Sequence, residues 1–286
     1  MPHTPCEDRS AAGYLCRESQ LPASRKAEMP EEPSTTSRIT ERLRAAGCVY
    51  AEIEAGLLLD AFAGEDLEQA VAQRVAGTPL EQLLGWAEFC GLRVLVEPGV
   101  FVPRRRTSLL VAQAVECDPH VVIDICCGSG AVGLALAHSV ADIEVHAADI
   151  DAAAARCARR NLAPIGGHVY EGDLYSPLPQ SIRGHADVIV ANAPYVPTAA
   201  ISSMPPEARD HEPRVALDGG PDGLALHRRI AAEAAEWIAP GGTLLIETSV
   251  RQADDTAAIV AALGFEPTVV HSDEFDATIV SARSDP

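Results

Sequence analysis

From residue 120 onward, short apolar runs alternate with longer segments that have helical periodicity. The apolar runs predict strands at residues 120–125, 143–148, 168–171, 186–191 and 242–247. The segments between them predict helices near residues 131–139, 152–162, 223–238 and 251–263. Continuous apolar strands that alternate with helices are typical of a parallel sheet covered on both faces. Two final strands, FEPTVVH and FDATIVSA, have no helix between them and are expected to pair antiparallel. The sequence therefore predicts an α/β fold built on a doubly wound sheet of seven strands.

The chain before this alternating region divides into shorter parts. Residues 1–36 lack periodicity and are predicted to be a disordered tail. Residues 37–84 predict a small N-terminal helical cap, whose third helix is expected to begin with Asp66 as its N-cap. Residues 85–106 predict a β-hairpin linker around Gly91, and residues 107–286 form the main domain, which opens with a helix over 107–116.

The charge balance limits the partners of the chain. There are 22 basic and 41 acidic side chains, so the formal net charge is −19. Such a surface repels phosphate backbones, and direct nucleic-acid binding is therefore not expected. A basic protein segment suits this field better, and Arg104, Arg105 and Arg106 are the one basic run that interrupts it.

Other features of the sequence point to a soluble cytoplasmic protein. No run of 18 or more apolar residues is present, and the N-terminus has no apolar core typical of a secretory signal. The 8 cysteines are scattered and form no C-x-x-C pair, so reduced thiols are expected and neither a metal nor a disulfide framework.

A glycine turn follows the first strand of the alternating region. Gly128, Gly130 and Gly133 fit the spacing G-x-G-x-x-G, which lets a cofactor approach the backbone at a helix N-terminus. Several cofactor classes use such a turn, so the spacing alone does not separate them. The positions expected to hold the cofactor here are Cys126, Gly128, Ser129 and Gly130, with no chemistry assigned to the Cys126 and Cys127 thiols.

Four other side chains are expected at the same cofactor. Asp124, beside the turn, would repel a pyrophosphate and attract an ammonium group, which favours S-adenosyl-L-methionine over a dinucleotide. Asp149 ends the next strand, where a carboxylate accepts from ribose hydroxyls. Asp173 and Leu174 follow the third strand and suit an adenine ring. The alternative roles are helix capping for Asp149 and Asp151, and a plain turn for Asp173.

The segment ANAPYVP, residues 191–197, follows the fourth strand at the same edge of the sheet. Asn192 supplies a side-chain carbonyl oxygen and Ala193 a main-chain one, so that both hydrogens of a planar NH2 group find acceptors. Pro194 and Tyr195 complete the slot, with Tyr195 as a flat apolar wall. Asn192 and Tyr195 are the predicted catalytic pair, Asn192 also faces the cofactor, and neither a histidine nor a glutamate is expected at the centre. The alternative is a structural turn without a ligand.

Several stretches together resemble one protein family. Asn-Pro-Pro-Tyr at this strand end marks methyltransferases that act on planar amines, and GDLYSPLP, TPLEQLLGWAEFCGLRVLVEPGVFVPRRRT and HEPRVALDGGPDGLALHRRI resemble the release-factor glutamine methyltransferases of the HemK type. The similarity covers roughly residues 78–282. It implies a class I S-adenosylmethionine-dependent methyltransferase fold. It also implies methylation of a glutamine side-chain amide in a protein, a release factor with a basic glutamine-bearing Gly-Gly-Gln loop.

The chain departs from the family pattern at three places. Ala193 replaces a proline, which is expected to loosen the loop by about 0.4–1 kcal/mol. In Pro103–Thr107 an arginine replaces an acid, which bears on the choice of substrate. Cys126 stands where many methyltransferases have glycine, which is acceptable only with a negative φ.

Three other functions stay open from the sequence. They are N-methylation of adenine in RNA or DNA, N-methylation of a small-molecule amide or amine, and cofactor binding without turnover. Among the remaining polar residues, Glu212 and Arg214 are expected to form a loop ion pair, and His211 and His227 to be surface or packing residues.

Overall fold

A computed structural model of the chain describes residues 34–285. The predicted tail, residues 1–36, lies outside the described residues except for its last three positions. Four helices come first: α1 (Thr35–Ala45), α2 (Ala51–Ala61), α3 (Gly64–Val75) and α4 (Leu80–Leu84). A two-stranded antiparallel hairpin follows, formed by β1 (Trp86–Phe89) and β2 (Leu92–Leu95). The division of the chain into cap, linker and main domain stays a prediction.

The first three helices pack through one small apolar core. Ile39, Leu43 and Leu58 are fully buried in it, because each helix turns its apolar stripe towards the other two. The predicted N-cap role of Asp66 is wrong, because α3 begins two residues earlier, with Ala63 at the N-cap position. Asp66 instead lies in the first turn of α3, where a carboxylate is favourable to the helix dipole.

The rest of the chain forms one sheet with helices on both faces. Its elements, in chain order, are α5 (Ser108–Glu116), β3 (Val121–Ile125), α6 (Ala131–Ser139), β4 (Glu144–Asp149), α7 (Ala152–Leu162), β5 (His168–Glu171), β6 (Ala186–Ala191), α8 (Pro206–His211), α9 (Ala225–Trp237), β7 (Ile238–Thr248), α10 (Ala253–Ala261), β8 (Glu266–Ser272) and β9 (Ala277–Arg283). The strand order is β5-β4-β3-β6-β7-β9-β8. The strands β3 to β7 are parallel, and β9 pairs antiparallel with β7 and β8. The predicted seven-stranded doubly wound sheet is confirmed, as is its terminal antiparallel pair.

The chain reverses its direction across the sheet between β3 and β6. From β3 it builds outward to β5, and it then returns to place β6 on the other side of β3. Two adjacent strands whose connections leave in opposite directions open a crevice at their carboxyl ends, the usual ligand site of such sheets. Ile125 of β3 and Ala191 of β6 are paired at this point, so the two motifs found in the sequence meet there.

Two buried apolar clusters, one on each face, hold this sheet to its helices. Within residues 34–285, none of the helices combines the length and the apolar character that crossing a bilayer would require.

Gly133, in the first turns of α6, lets this helix lie close to the sheet. A Cβ atom at this position would be 2.8 Å from Cγ1 of Val145 in β4. Real Cβ contacts are longer than this, so any side chain here forces the Val145 side chain or the backbone around it to shift.

We therefore expect Gly133→Ala to lower the free energy of unfolding by about 1–3 kcal/mol, the usual cost of overpacking. Gly56→Ala is the matched control, because Gly56 lies in the interior of α2 and its added Cβ would meet nothing within 4 Å. That change should raise stability by about 0.4–1 kcal/mol. Urea denaturation of the two variants measures both changes in the free energy of unfolding. Equal changes in Gly133→Ala and Gly56→Ala would contradict the packing role of Gly133.

Candidate functional site

A cavity of about 1110 Å³ opens at the carboxyl edge of the sheet. Eleven of the site residues predicted from the sequence line it: Asp124, Cys126, Gly128, Ser129, Asp149, Asp173, Leu174, Asn192, Ala193, Pro194 and Tyr195. Gly130 does not line the cavity. It has a φ of +77° and lies against Ala158 of α7, so its part in the turn is conformational.

The backbone between β3 and α6 turns through three left-handed residues. Gly128 and Gly130 have positive φ, and so does Cys126, with a φ of +59°. The expectation of a negative φ at Cys126 is therefore wrong. The left-handed region costs a non-glycine residue about 1–2 kcal/mol, and the surrounding turn has to offset this. Main-chain bonds from Cys127 to Ala148 and from Gly130 to Cys127 supply that constraint.

Asp124 lies at the base of the cavity with 2% of its surface exposed. Its Oδ2 accepts a hydrogen bond from the main-chain N–H of Gly133 at 3.2 Å. Burial raises the pKa of Asp124 to about 7; the bond from Gly133 opposes this rise and the nearby Asp149 adds to it. No arginine, lysine or histidine forms an ion pair with Asp124 among residues 34–285. A buried carboxyl group of this kind favours a cationic ligand.

Asp149 ends β4 and closes the same side of the cavity. Its Oδ2 accepts from the main-chain N–H of Gly128 at 2.8 Å, and its Oδ1 from that of Asp151 at 2.9 Å. It does not cap α7, because that role belongs to Asp151, which accepts from Ala153 and Ala154. Burial raises the pKa of Asp149, and the main-chain bonds oppose this rise.

Asp173 and Leu174 form the outer wall beyond β5. Leu174 is buried with a φ of +48°, and it presents an apolar surface to the cavity. Asp173 is half-exposed and forms an ion pair with Arg229 of α9 at 2.7 Å. A hydrogen-bonding role for Asp173 towards an adenine ring therefore has to share its carboxylate with Arg229.

Asn192 follows β6 and is oriented by a side chain from another part of the chain. Its Nδ2 donates to Oγ1 of Thr107 at 3.1 Å, and Thr107 is almost fully buried at the start of α5. This bond assigns the amide nitrogen to the protein, and Oδ1 accepts no hydrogen bond from residues 34–285. Asn192 therefore offers a carbonyl oxygen to a ligand in the cavity.

Tyr195 and Glu247 form a second polar group in the same slot. The Tyr195 hydroxyl donates to Oε1 of Glu247 at 3.4 Å. Burial raises the pKa of Tyr195 to about 12; the Glu247 carboxylate adds to this, and Arg106 opposes it. The expectation of a site centre without a glutamate is wrong, because Glu247 lines the cavity. The sequence feature that could have identified Glu247 is its position at the end of the predicted strand 242–247.

The predicted ion pair between Glu212 and Arg214 is also wrong. Glu212 is buried and pairs with Arg104, whereas Arg214 pairs with Asp218. The Arg104–Glu212 pair connects the basic run before α5 to the segment after α8, so two distant stretches form one wall of the cavity. His227, predicted to be a surface or packing residue, is fully buried and packs between helices. Its Nδ1 lies 3.0 Å from Oγ1 of Thr256.

The loop that follows this wall supports the Asn192 segment from behind. Gly219 and Gly223 leave no room for a side chain, since a Cβ at Gly219 would be 2.7 Å from the carbonyl oxygen of Pro194. At Gly223 it would be 2.3 Å from the carbonyl oxygen of Tyr195. Gln252 donates to that same Tyr195 oxygen at 3.0 Å. The backbone of Pro194 and Tyr195 is therefore fixed by main-chain packing.

Comparison with known proteins agrees with this geometry. Residues 91–205 match the family described as "Methyltransferase small domain". The chain is 40% identical over 199 residues to the release factor glutamine methyltransferase of Geobacter sulfurreducens, covering 68% of this chain and 69% of the relative. It is 37% identical over 269 residues to the protein of the same name from Mycolicibacterium smegmatis, covering 86% and 90%. A relative with another name is the 4-amino-L-phenylalanine/4-methylamino-L-phenylalanine methyltransferase of Streptomyces pristinaespiralis, 34% identical over 203 residues and covering 68% and 69%.

The raised pKa of Asp124 makes the stability of the ligand-free protein depend on pH. Because its pKa of about 7 lies above its ordinary 3.8, the folded state binds the proton more tightly than the unfolded state. The resulting stability is present at acid pH and is lost as pH rises through 7.

Between about pH 5 and pH 8, the unfolding free energy of the wild type should fall by about 2–3 kcal/mol more than that of Asp124→Asn. Urea denaturation at the two pH values measures this difference. Asp60→Asn, an exposed change at the end of α2 and outside the cavity, should behave like the wild type. Parallel pH profiles for wild type and Asp124→Asn would contradict the burial effect.

Proposed function

We propose, from the premise that this chain belongs to the release factor glutamine methyltransferase family, that it methylates the side-chain amide nitrogen of a glutamine in a protein. The proposed methyl donor is S-adenosyl-L-methionine, and the proposed acceptor is a peptide chain release factor. The observation that carries this proposal is the bond from Asn192 Nδ2 to Thr107, which leaves a side-chain carbonyl oxygen for the acceptor.

The residues around the glycine turn suit this methyl donor. When bound, it supplies an electrophilic methyl group on a positively charged sulfur, together with an ammonium group and an adenosine. Asp124 is buried and Asp149 is half-buried on the same side of the cavity, burial raises the pKa of both carboxyl groups, and a bound cation would relieve that cost. Leu174 and the backbone at Gly128 provide the surface against which a flat ring and a ribose can lie.

The chemistry required of this chain is mostly positioning. An amide nitrogen is a weak nucleophile because its lone pair is delocalised into the carbonyl group. Asn192 Oδ1 and the main-chain carbonyl of Ala193 are the acceptors proposed to hold its two hydrogens and so direct the lone pair at the methyl carbon. Tyr195 provides the wall that keeps the group in line. Such a site gains its effect from preorganised dipoles and needs no base before the transfer.

The charge of the chain supports a polypeptide acceptor of opposite sign. With a net charge of −19, the surface attracts a basic segment, and the proposed partner is a basic glutamine-bearing loop of a release factor. We also propose that the protein acts in the cytoplasm, where such a partner is found.

A second candidate is a small-molecule amide or aromatic amine. One of the relatives is named for the methylation of 4-amino-L-phenylalanine, whose NH2 group is also planar. Arg104 and Arg106 line the cavity and favour an acceptor that carries a carboxylate. Both candidates need the same acceptor oxygens, so substrate identity has to be tested directly.

The direct test is incubation of the full chain with labelled S-adenosyl-L-methionine and a purified release factor, followed by mass spectrometry of its peptides. We expect one added methyl group on the glutamine of the Gly-Gly-Gln loop. The same factor with alanine in place of that glutamine is the control. Label on 4-amino-L-phenylalanine but not on the factor would favour the second candidate.

The role of Asn192 generates a separate prediction. Asn192→Ala should lower kcat about 30- to 1000-fold, which corresponds to about 2–4 kcal/mol lost from the transition state. Affinity for the methyl donor, measured by calorimetry, should barely change. Thr107→Val removes the partner of Nδ2 and should lower kcat less, whereas Thr107→Ser keeps the hydroxyl and should keep most activity. Near-normal turnover by Asn192→Ala would refute its assigned role.

A further inference from the structure

Glu247 is a buried acidic residue, and its second carboxyl oxygen has no hydrogen-bond partner among residues 34–285. It lines the cavity with 2% of its surface exposed, and its Oε1 accepts from the Tyr195 hydroxyl. Its Oε2 is one of three buried side-chain polar atoms without a hydrogen bond within residues 34–285. A buried acceptor without a donor is costly, and native proteins retain few of them. The position of Glu247 inside the cavity indicates that a ligand supplies the missing donor.

The other two unpartnered atoms have different surroundings. Oε2 of Glu212 belongs to a carboxylate that is already paired with Arg104. Nε2 of His227 lies outside the cavity, in a ring held by Thr256. Glu247 is therefore the one of the three that combines an unpaired oxygen with a position in the cavity and no ion pair.

The register of the sheet places Glu247 beside Asn192. Ala191 of β6 is paired with Ile246 of β7, and the two parallel strands run in the same direction. Asn192 directly follows the end of β6 and Glu247 is the next residue of β7, so they stand side by side at the same edge. Adjacent strands are about 5 Å apart, which lets both side chains contact one small group. Thr107, the partner of Asn192, is also close enough to Glu247 to lower its pKa.

The groups around Glu247 bear on its charge. Burial raises its pKa, and the Thr107 hydroxyl, Arg106 and the Tyr195 hydroxyl all oppose this rise. These three neighbours are donors or cations, and each favours the carboxylate form over the neutral acid. Oε2 forms no hydrogen bond with any of these three neighbours, and in the ionised form it presents an acceptor and a negative potential to the slot.

We propose that Glu247 makes the acceptor slot selective for an uncharged NH2 group over a carboxylate. In this role Oε2 accepts one hydrogen of the acceptor amide, in a three-centre bond shared with the main-chain carbonyl of Ala193, while Asn192 Oδ1 accepts the other. Glutamate has nearly the same shape as glutamine, but it has no hydrogen to donate and carries the same charge as Glu247. The proposal rests on the proposed function and specifies how the site distinguishes these two side chains.

The test is a binding cycle without the methyl donor. Two short capped peptides that contain Gly-Gly-Gln or Gly-Gly-Glu are titrated by calorimetry into wild type and Glu247→Gln. The wild type is expected to prefer the glutamine peptide by on the order of 100-fold, because glutamate repels the Glu247 carboxylate and offers no donor to the acceptor oxygens of the site. In Glu247→Gln the preference should fall to within about 10-fold, mainly through tighter binding of the glutamate peptide.

Two controls separate this role from a structural one. Glu266→Gln makes the same change at an exposed position of β8 and should keep the wild-type preference. Glu247→Gln should bind S-adenosyl-L-methionine like the wild type, which reports an intact fold. If Glu247→Gln fails to fold, Glu247→Asp keeps the charge but withdraws the oxygen, and it should weaken binding of the glutamine peptide while glutamate stays rejected.

The outcomes distinguish this proposal from the function on which it rests. Methylation of the glutamine peptide combined with an unchanged preference in Glu247→Gln would overturn the role of Glu247 alone. A wild type that binds both peptides equally would do the same. If the wild type neither binds nor methylates the glutamine peptide, the proposed function fails and the selectivity proposal falls with it.

Discussion

The reversal of the chain between β3 and β6 is the constraint on which the site depends. Two adjacent parallel strands end at the same edge, and the connections that follow them leave in opposite directions, so their ends are not covered by one crossover. The glycine turn continues from β3 and the Asn192 segment continues from β6. Neither motif makes a site alone, and the strand order brings the proposed methyl-donor half and the proposed acceptor half to one cavity.

Burial of acidic groups gives the two halves their chemical character. Asp124 and Asp149 on the donor side, and Glu247 on the acceptor side, all have pKa values raised by burial. A protein optimised only for stability would not gather three such carboxyl groups in one cavity, because main-chain hydrogen bonds to Asp124 and Asp149 only partly offset the cost of burial, and Oε2 of Glu247 has no partner among residues 34–285. Their retention fits a site whose ligands bring a cationic sulfur, an ammonium group and N–H donors. In the proposed complex, the energetic cost in the free protein would be recovered as affinity and selectivity.

The sequence predicted the parts of the fold that depend on local pattern. The five central strands, their helices and the antiparallel pair at the end were all visible as apolar runs and helical periods. The site residues on those strand ends were predicted as well, because a strand boundary fixes which residues reach the edge.

What the sequence did not reveal were contacts between distant segments. The pairing of Glu212 with Arg104, and the place of Glu247 beside Tyr195, depend on how the strands are ordered in space. Local pattern also misplaced the start of α3, where Asp66 was a plausible cap but Gly64 began the helix. It likewise gave no warning that Cys126 would adopt a left-handed conformation.

The packing around Pro194 and Tyr195 explains how the loop keeps its backbone conformation with Ala193 at the position where the family pattern has proline. A proline would restrict the backbone from within, and its loss leaves more freedom in the unfolded chain. In this protein the restriction comes from outside, because Gly219 and Gly223 pack directly on the carbonyl groups of Pro194 and Tyr195. Gln252 then holds the second of these carbonyls by a hydrogen bond. Ala193 is almost fully buried under this arrangement, so its own carbonyl has little room to turn. The missing ring therefore affects folding stability more than the direction of the main-chain carbonyl groups, which keep the orientation that the proposed chemistry requires.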